Sequence, residues 1–312
     1  MRKLSLVSLL SMSAALNLAA ASVSLNANTE WKSVDTEGIK TYAIDYDGKG
    51  WPGFFPQVDT GPGEFYKVRW MMKSQRTGDE PQTLAIEGSL GKGTLNCPVS
   101  KEWNTYSAYV FSGNGGPFKF RIYLNPGSAG KVEAKNVEVS KVSTEELSGN
   151  LLSDGDFEHS AGSPVDWLKD GRVKGSPISI VRSEDFISGE RSMAVEFKPQ
   201  DGNAIGIQSP QLPVEPGKVY EFNFWAKAGR EFVINVDTQA WPPYGHKGTH
   251  FWKRDTFKIT TEWKQYSLKA SIPSDLVQYP DLAAKTVYIG ISAAAKDQEE
   301  KVLFDDMSFK RL

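Results

Sequence analysis

Tyr220-Glu221-Phe222-Asn223-Phe224-Trp225, followed closely by Phe232-Val233-Ile234-Asn235-Val236-Asp237, is the stretch on which the reading of the fold turns. Apolar and polar residues alternate in twos, so an extended chain would bury one face and leave the other to solvent or ligand. The Tyr, Phe, Trp, Val and Ile residues among them are strand formers by type. Tyr66-Lys67-Val68-Arg69-Trp70 follows the same pattern. Clusters of Gly, Pro, Asn and Asp separate such runs, which predicts an all-β sandwich or barrel. Only Ser143 to Leu147 reads as a helical turn.

The chain also repeats itself. Gly38-Ile39-Lys40-Thr41-Tyr42-Ala43-Ile44 matches Gly189-Glu190-Arg191-Ser192-Met193-Ala194-Val195, and the run from Gly63 to Lys73 matches that from Gly217 to Lys227. Glu102-Trp103-Asn104-Thr105-Tyr106-Ser107 matches Glu262-Trp263-Lys264-Gln265-Tyr266-Ser267, and Lys131 to Val142 matches Lys301 to Leu312. The offset grows from 151 residues at Gly38 and Gly189 to 170 at Lys131 and Lys301, as loops lengthen and strands do not. The expectation is two tandem sandwich modules, at 22–142 and 150–312, joined by a linker at 143–149.

Met1-Arg2-Lys3, the apolar run Leu4 to Leu18 and Ala19-Ala20-Ala21 have the layout of a signal peptide over 1–21. Ser5, Ser8, Ser11, Ser13 and Asn17 break the run, which is too short and polar for a membrane span. The expected destination is outside the cell, in a periplasm or on a cell surface. Thirty-six basic and 38 acidic residues give a net charge of −2, with no electrostatic reason for nucleic acid or an anionic membrane as partner. The single cysteine, Cys97, excludes an internal disulfide.

Asn150-Leu151-Leu152-Ser153-Asp154-Gly155-Asp156-Phe157-Glu158 resembles the opening motif of the carbohydrate-binding modules grouped as families 4, 9, 16 and 22. Trp167, the run Gly189 to Val195, the strand Tyr220 to Lys227, Glu262 to Tyr266 and the closing Val302 to Phe309 follow in that family's order. The likeness covers 150–312; for the first module it is internal and partial. It implies a jelly-roll β-sandwich of the galactose-binding-domain kind, a structural Ca²⁺, and binding of polysaccharide or oligosaccharide without hydrolysis. A separately encoded glycoside hydrolase is a partner class consistent with it.

Strict alternation places Leu303, Asp305, Met307 and Phe309 on one face and Phe304, Asp306 and Ser308 on the other, so Asp305 is expected to point at the core. An inward carboxylate is costly without a cation or several donors. The resemblance brings Glu158 beside the closing strand, and Ca²⁺ favours such oxygen ligands. The expected ligands are Glu158 and Asp305, with Asp156 or Asp306 in addition. In the first module Lys135 stands where the second has Asp305, and no metal is expected there.

A sugar needs an aromatic surface for its C–H face and polar side chains for its hydroxyls. Asn223 and Trp225 on one strand and Asn235, Asp237 and Gln239 on the next are read as one polar sheet face with an aromatic platform. The loop Trp241 to Trp252 adds Trp241, Tyr244 and Trp252; in the first module the counterpart candidates are Trp51, Phe54, Phe55 and Gln57, with Arg69 and Glu87 on outward strand positions. Trp103, Trp167 and Trp263 are expected in the core. No nucleophile elbow, phosphate-cradling loop or marked carboxylate pair is present. His246 and His250 lie in a loop-like segment without an obvious third ligand. A non-catalytic glycan-binding protein is the first reading. A structural or adhesion protein is the alternative, and a glycoside hydrolase component the lesser one.

Overall fold

The computed structural model describes residues 24–27, 32–36, 39–49, 53–60, 64–76, 82–87, 95–97, 101–111, 116–124, 127–152, 154–158, 167–169, 178–181, 185–198, 206–209, 211–240, 250–276, 285–294 and 299–312. The signal-peptide segment, Trp51, Trp241, Tyr244 and His246 lie outside these residues.

Among the described residues ten strands come first: β1 (Ser24–Ala27), β2 (Lys32–Thr36), β3 (Ile39–Tyr46), β4 (Gly53–Thr60), β5 (Phe65–Ser74), β6 (Gln82–Glu87), β7 (Leu95–Cys97), β8 (Asn104–Phe111), β9 (Gly116–Leu124) and β10 (Gly130–Lys141). They form two antiparallel sheets, ordered β1-β4-β9-β6-β7 and β2-β3-β10-β5-β8. A short helix, α1 (Thr144–Ser148), follows. Ser143 caps it: its hydroxyl accepts from the Glu146 N–H while the Glu146 carboxylate accepts from the Ser143 N–H.

The second set is β11 (Leu168–Lys169), β12 (Ile178–Val181), β13 (Ser192–Phe197), β14 (Gly206–Gln208), β15 (Leu212–Val214), β16 (Val219–Ala228), β17 (Phe232–Ala240), β18 (Phe251–Ile259), β19 (Lys264–Ser271), β20 (Lys285–Ala293) and β21 (Glu300–Arg311). One sheet runs β11-β14-β20-β17-β18, with β15 also on β20, and the other runs β12-β13-β21-β16-β19. In both modules the chain passes repeatedly from one sheet to the other, as in a jelly roll. The chain is all-β, with two tandem β-sandwich modules.

The four repeated segments hold matching places. β3, β10, β5 and β8 stand in the same order in one sheet as β13, β21, β16 and β19 in the other. Trp70 stacks on Tyr106 across β5 and β8 at 5.6 Å and 21°; Phe224 stacks on Tyr266 across β16 and β19 at 5.4 Å and 21°. Phe222, Phe224, Phe304 and Phe309 from one sheet meet Ile234, Val236, Val287 and Ile289 from the other in the second core. Trp167 joins that core against Phe222. Trp103 and Trp263 do not: both are half-buried and lie under lysine ammonium groups, where the aliphatic stems cover part of the rings.

Strict alternation fails at one point in β21. Asp306 adopts φ 46°, and the pairing with β16 shifts between Asn223 and Trp225. This β-bulge adds a residue and reverses the phase of the faces. Val302, Phe304, Met307 and Phe309 therefore face the core, while Asp305 pairs with Trp225 on the opposite face of the sheet. The expectation that Asp305 points at the core is corrected. Its complete burial comes from the 185–191 segment lying over the outer face.

Candidate functional site

β16 and β17 belong to different sheets. Gly229, Arg230 and Glu231 turn the chain between them, held by Glu300, which accepts from the Gly229 N–H and from Arg230 Nε–H at 3.0 Å each. Phe222 and Phe224 point inward from one side and Ile234 and Val236 from the other, so their polar neighbours point outward on opposite sides of the sandwich. Asn223 and Trp225 thus share no surface with Asn235, Asp237 and Gln239, and the single face expected from the sequence separates into two.

On the β16 side, Trp225 is half-buried between Asp305 of β21 and Gln265 of β19. Asn223 donates to Glu221 at 3.1 Å, and Ser267 donates to the same carboxylate at 2.8 Å. These bonds hold Glu221 below the usual carboxylate range. The polar groups here are largely engaged with one another.

The β17 side is built differently. Trp252 is not a loop residue: β18 begins at Phe251, and register places Trp252 opposite Gln239, Arg254 opposite Asp237 and Thr256 opposite Asn235. On the other flank Tyr288, Gly290 and Ser292 of β20 stand opposite Gln239, Asp237 and Asn235. Directly opposed residues share a face, so these side chains line one outward surface. Trp252 is 51% exposed, while Asp237 between these rows is 3% exposed.

Hydrogen bonds order this surface. Trp252 Nε1–H donates to Asp237 Oδ1 at 2.7 Å. Arg254 forks onto the same carboxylate, Nε to Oδ1 at 2.5 Å and Nη2 to Oδ2 at 2.9 Å. The guanidinium carbon lies 4.4 Å from the Trp252 ring centroid, and His250 stacks on the same indole at 6.3 Å. The bond to Asp237 raises the Arg254 pKa above its usual value. Tyr288 donates to Gln239 Oε1 and Thr256 to Asn235 Oδ1, both at 2.8 Å. At Gly290 a Cβ would lie 3.8 Å from Asp237 Oδ2 and from Gln239 Nε2, so the missing side chain leaves a notch between Tyr288 and Ser292. Sequence reasoning missed Arg254, Tyr288 and Gly290; their signal was the alternation of β18 and β20 with the polar residues of β17.

Of the residues expected to bind calcium, Glu158, Asp305 and Asp306 each bind the 185–191 segment. Asn150 and Gly155 tie the opening motif to β21 through Met307 and Phe309. Glu158 Oε1 accepts the N–H groups of Glu190 and Arg191 at 2.8 and 2.9 Å. Asp305 Oδ2 accepts those of Ile187 and Ser188 at 2.7 and 3.2 Å, and Oδ1 that of Asp306 at 2.7 Å. Asp306 accepts from the Ser188 hydroxyl at 2.8 Å, and Asp156 from the Glu158 N–H at 3.4 Å. Gly189, at φ 64°, is required here, since a Cβ would stand 2.3 Å from Glu158 Oε1. Burial pushes the Asp305 carboxyl up to about 6 despite the three N–H donors. Among the described residues no three His, Cys, Asp or Glu side chains group around one point.

The second β-sandwich thus carries an outward polar sheet face with a fixed, exposed indole. Residues 149–280 match the family model described as a carbohydrate binding domain. No curated protein matches the chain. Among solved structures, the N-terminal CBM22-1–CBM22-2 tandem domain of Paenibacillus barcinonensis Xyn10C is similar at 13% identity and a TM-score of 0.36, with 94% of this chain and 98% of that one covered. The N-terminal cellulose-binding domain of Cellulomonas fimi β-1,4-glucanase C is similar at 12% identity and a TM-score of 0.34, covering 48% of this chain and 91% of that one. A family 61 module in complex with β-1,4-galactotriose is similar at 18% identity and a TM-score of 0.35, covering 52% and 99%. Among the described residues no helix is long and apolar enough to cross a membrane.

Proposed function

We propose that the second module binds a polysaccharide chain without cleaving it, on the outward face of the β11-β14-β20-β17-β18 sheet. The observation that carries the reading is Trp252: a half-exposed indole, fixed through its N–H, beside Arg254, Gln239, Asn235 and Tyr288. The indole offers apolar area to the C–H face of a pyranose. The guanidinium, amides and phenol offer donors and acceptors for its hydroxyls. The family match over 149–280 supports a saccharide as the ligand. Affinity electrophoresis through gels containing xylan, β-glucan or mannan tests the reading. Retardation by at least one polysaccharide, without reducing-sugar release, is expected; migration unchanged in all of them, or sugar release, contradicts it.

The same reading extends to calcium and to export. Glu158 and Asp305, with nearby backbone carbonyls and with Asp156 or Asp306, would hold a Ca²⁺ that ties the opening motif and the 185–191 segment to β21. What supports this is a fully buried Asp305 carboxylate with no Lys or Arg pairing with it among the described residues, next to Asp306 and bound to the same 185–191 segment that Glu158 binds. The ion would supply structural support only. In the first module Lys135 instead places its ammonium 4.3 Å from the Trp103 ring centroid, so a cation is already covalently present. The basic, apolar and small-residue succession over 1–21 supports export of the chain. A separately encoded glycoside hydrolase acting on the same polysaccharide is the partner that a non-catalytic module would serve.

A further inference from the structure

We infer that Asp237 is the positioning residue of this face: it makes no contact with the sugar and instead fixes the Trp252 indole and the Arg254 guanidinium as one rigid platform. The inference rests on the proposed glycan-binding reading of the β17–β18 surface. Its side chain is 5% exposed against 41% for that of Arg254, while the Trp252 residue is 51% exposed. The two outer groups therefore meet a ligand, and the carboxylate beneath them does not. A carboxylate has about four acceptor sites; three are taken by Trp252 Nε1–H and by Arg254 Nε–H and Nη2–H.

The geometry is specific to both partners. Arg254 lies directly opposite Asp237, so its planar fork meets the carboxylate bidentately. Trp252 lies two residues along the same strand, on the same face, and reaches the same carboxylate diagonally. One anion thus sets the angle of two side chains that also touch each other at 4.4 Å. Because Asp237 neutralises Arg254, the platform presents a dipole rather than a free cation, which suits hydroxyl groups better than carboxylates or sulfates. Ordering the two long side chains before binding removes that cost from the binding step.

The test uses the full chain, with Asp237→Asn, Asp237→Ala and Trp252→Phe variants. The Trp252→Phe variant assigns the Trp252 indole N–H resonance in a ¹H–¹⁵N spectrum recorded without sugar. Asp237→Asn, which keeps the shape, is expected to move that resonance upfield. It is also expected to weaken retardation by whichever of xylan, β-glucan or mannan the parent protein binds by about five-fold or more, with Asp237→Ala weaker still. An unmoved resonance overturns the positioning role. Lost binding with an unmoved resonance also overturns it, because it makes Asp237 a direct sugar contact. If the parent protein binds none of the polysaccharides, the glycan reading fails by itself. The indole shift in Asp237→Asn then still decides whether the carboxylate holds Trp252.

Discussion

Lys135 and Asp305 stand at the same place in the two modules, each immediately before a residue of left-handed backbone in the closing strand: Asn136 at φ 52° and Asp306 at φ 46°. Each module shifts the register of that strand at this point, against β5 between Lys135 and Glu138 and against β16 at Asn223 and Trp225. The bulge is a shared feature of the repeat. What differs is the charge placed on it.

Calcium should therefore act on one module only. In a thermal melt, excess Ca²⁺ over chelator is expected to raise the transition of the second module and leave that of the first unmoved. At about a hundred-fold excess over the dissociation constant the gain is about 2.7 kcal/mol, a shift of several degrees for a module of this size. Asp305→Asn or Glu158→Gln should remove the calcium-dependent part. Equal shifts in both transitions, or none, would count against the assignment.

Gly290 should be intolerant of side chains for a reason unrelated to folding. Its Cβ position is in ordinary contact distance of Asp237 and Gln239 and points outward from the sheet. Gly290→Leu is expected to fill the notch between Tyr288 and Ser292, leaving thermal stability nearly unchanged and lowering polysaccharide affinity ten-fold or more. Calorimetric titration beside a melt checks both halves of that statement.

Trp167 should behave oppositely. It is 2% exposed and packs on Phe222 at 6.1 Å, inside the second core. Trp167→Ala is expected to cost about 3–5 kcal/mol of stability, the range for truncating a large aromatic. Urea unfolding of the second module measures it, and a loss under about 1 kcal/mol would place the indole outside the core.

The strands at 220–228 and 232–240 were legible because large apolar residues alternate strictly there, and alternation reports which side chains are inward. It does not report which sheet a strand joins. Three residues, Gly229 to Glu231, look the same in sequence whether they close a hairpin or turn a corner between sheets, and here they turn a corner. The bulge at Asp306 was hidden for a related reason: one added residue changes the phase of all that follows, and Asp is only a weak signal for left-handed backbone. Trp252 was recognised as a platform but assigned to a loop, since its strand begins just after a run rich in proline, glycine and histidine. Arg254 and Tyr288 become visible only once register sets β18 and β20 beside β17.

The most direct measurement compares Trp252→Ala with Trp225→Ala in depletion isotherms on an immobilised polysaccharide that the parent protein retains. Removal of a central aromatic anchor typically costs about 2 kcal/mol or more, about thirty-fold in affinity. Loss of that order in Trp252→Ala, with Trp225→Ala binding as the parent does, is the predicted result. Retained binding in Trp252→Ala together with loss in Trp225→Ala would put the ligand on the opposite sheet and contradict the account.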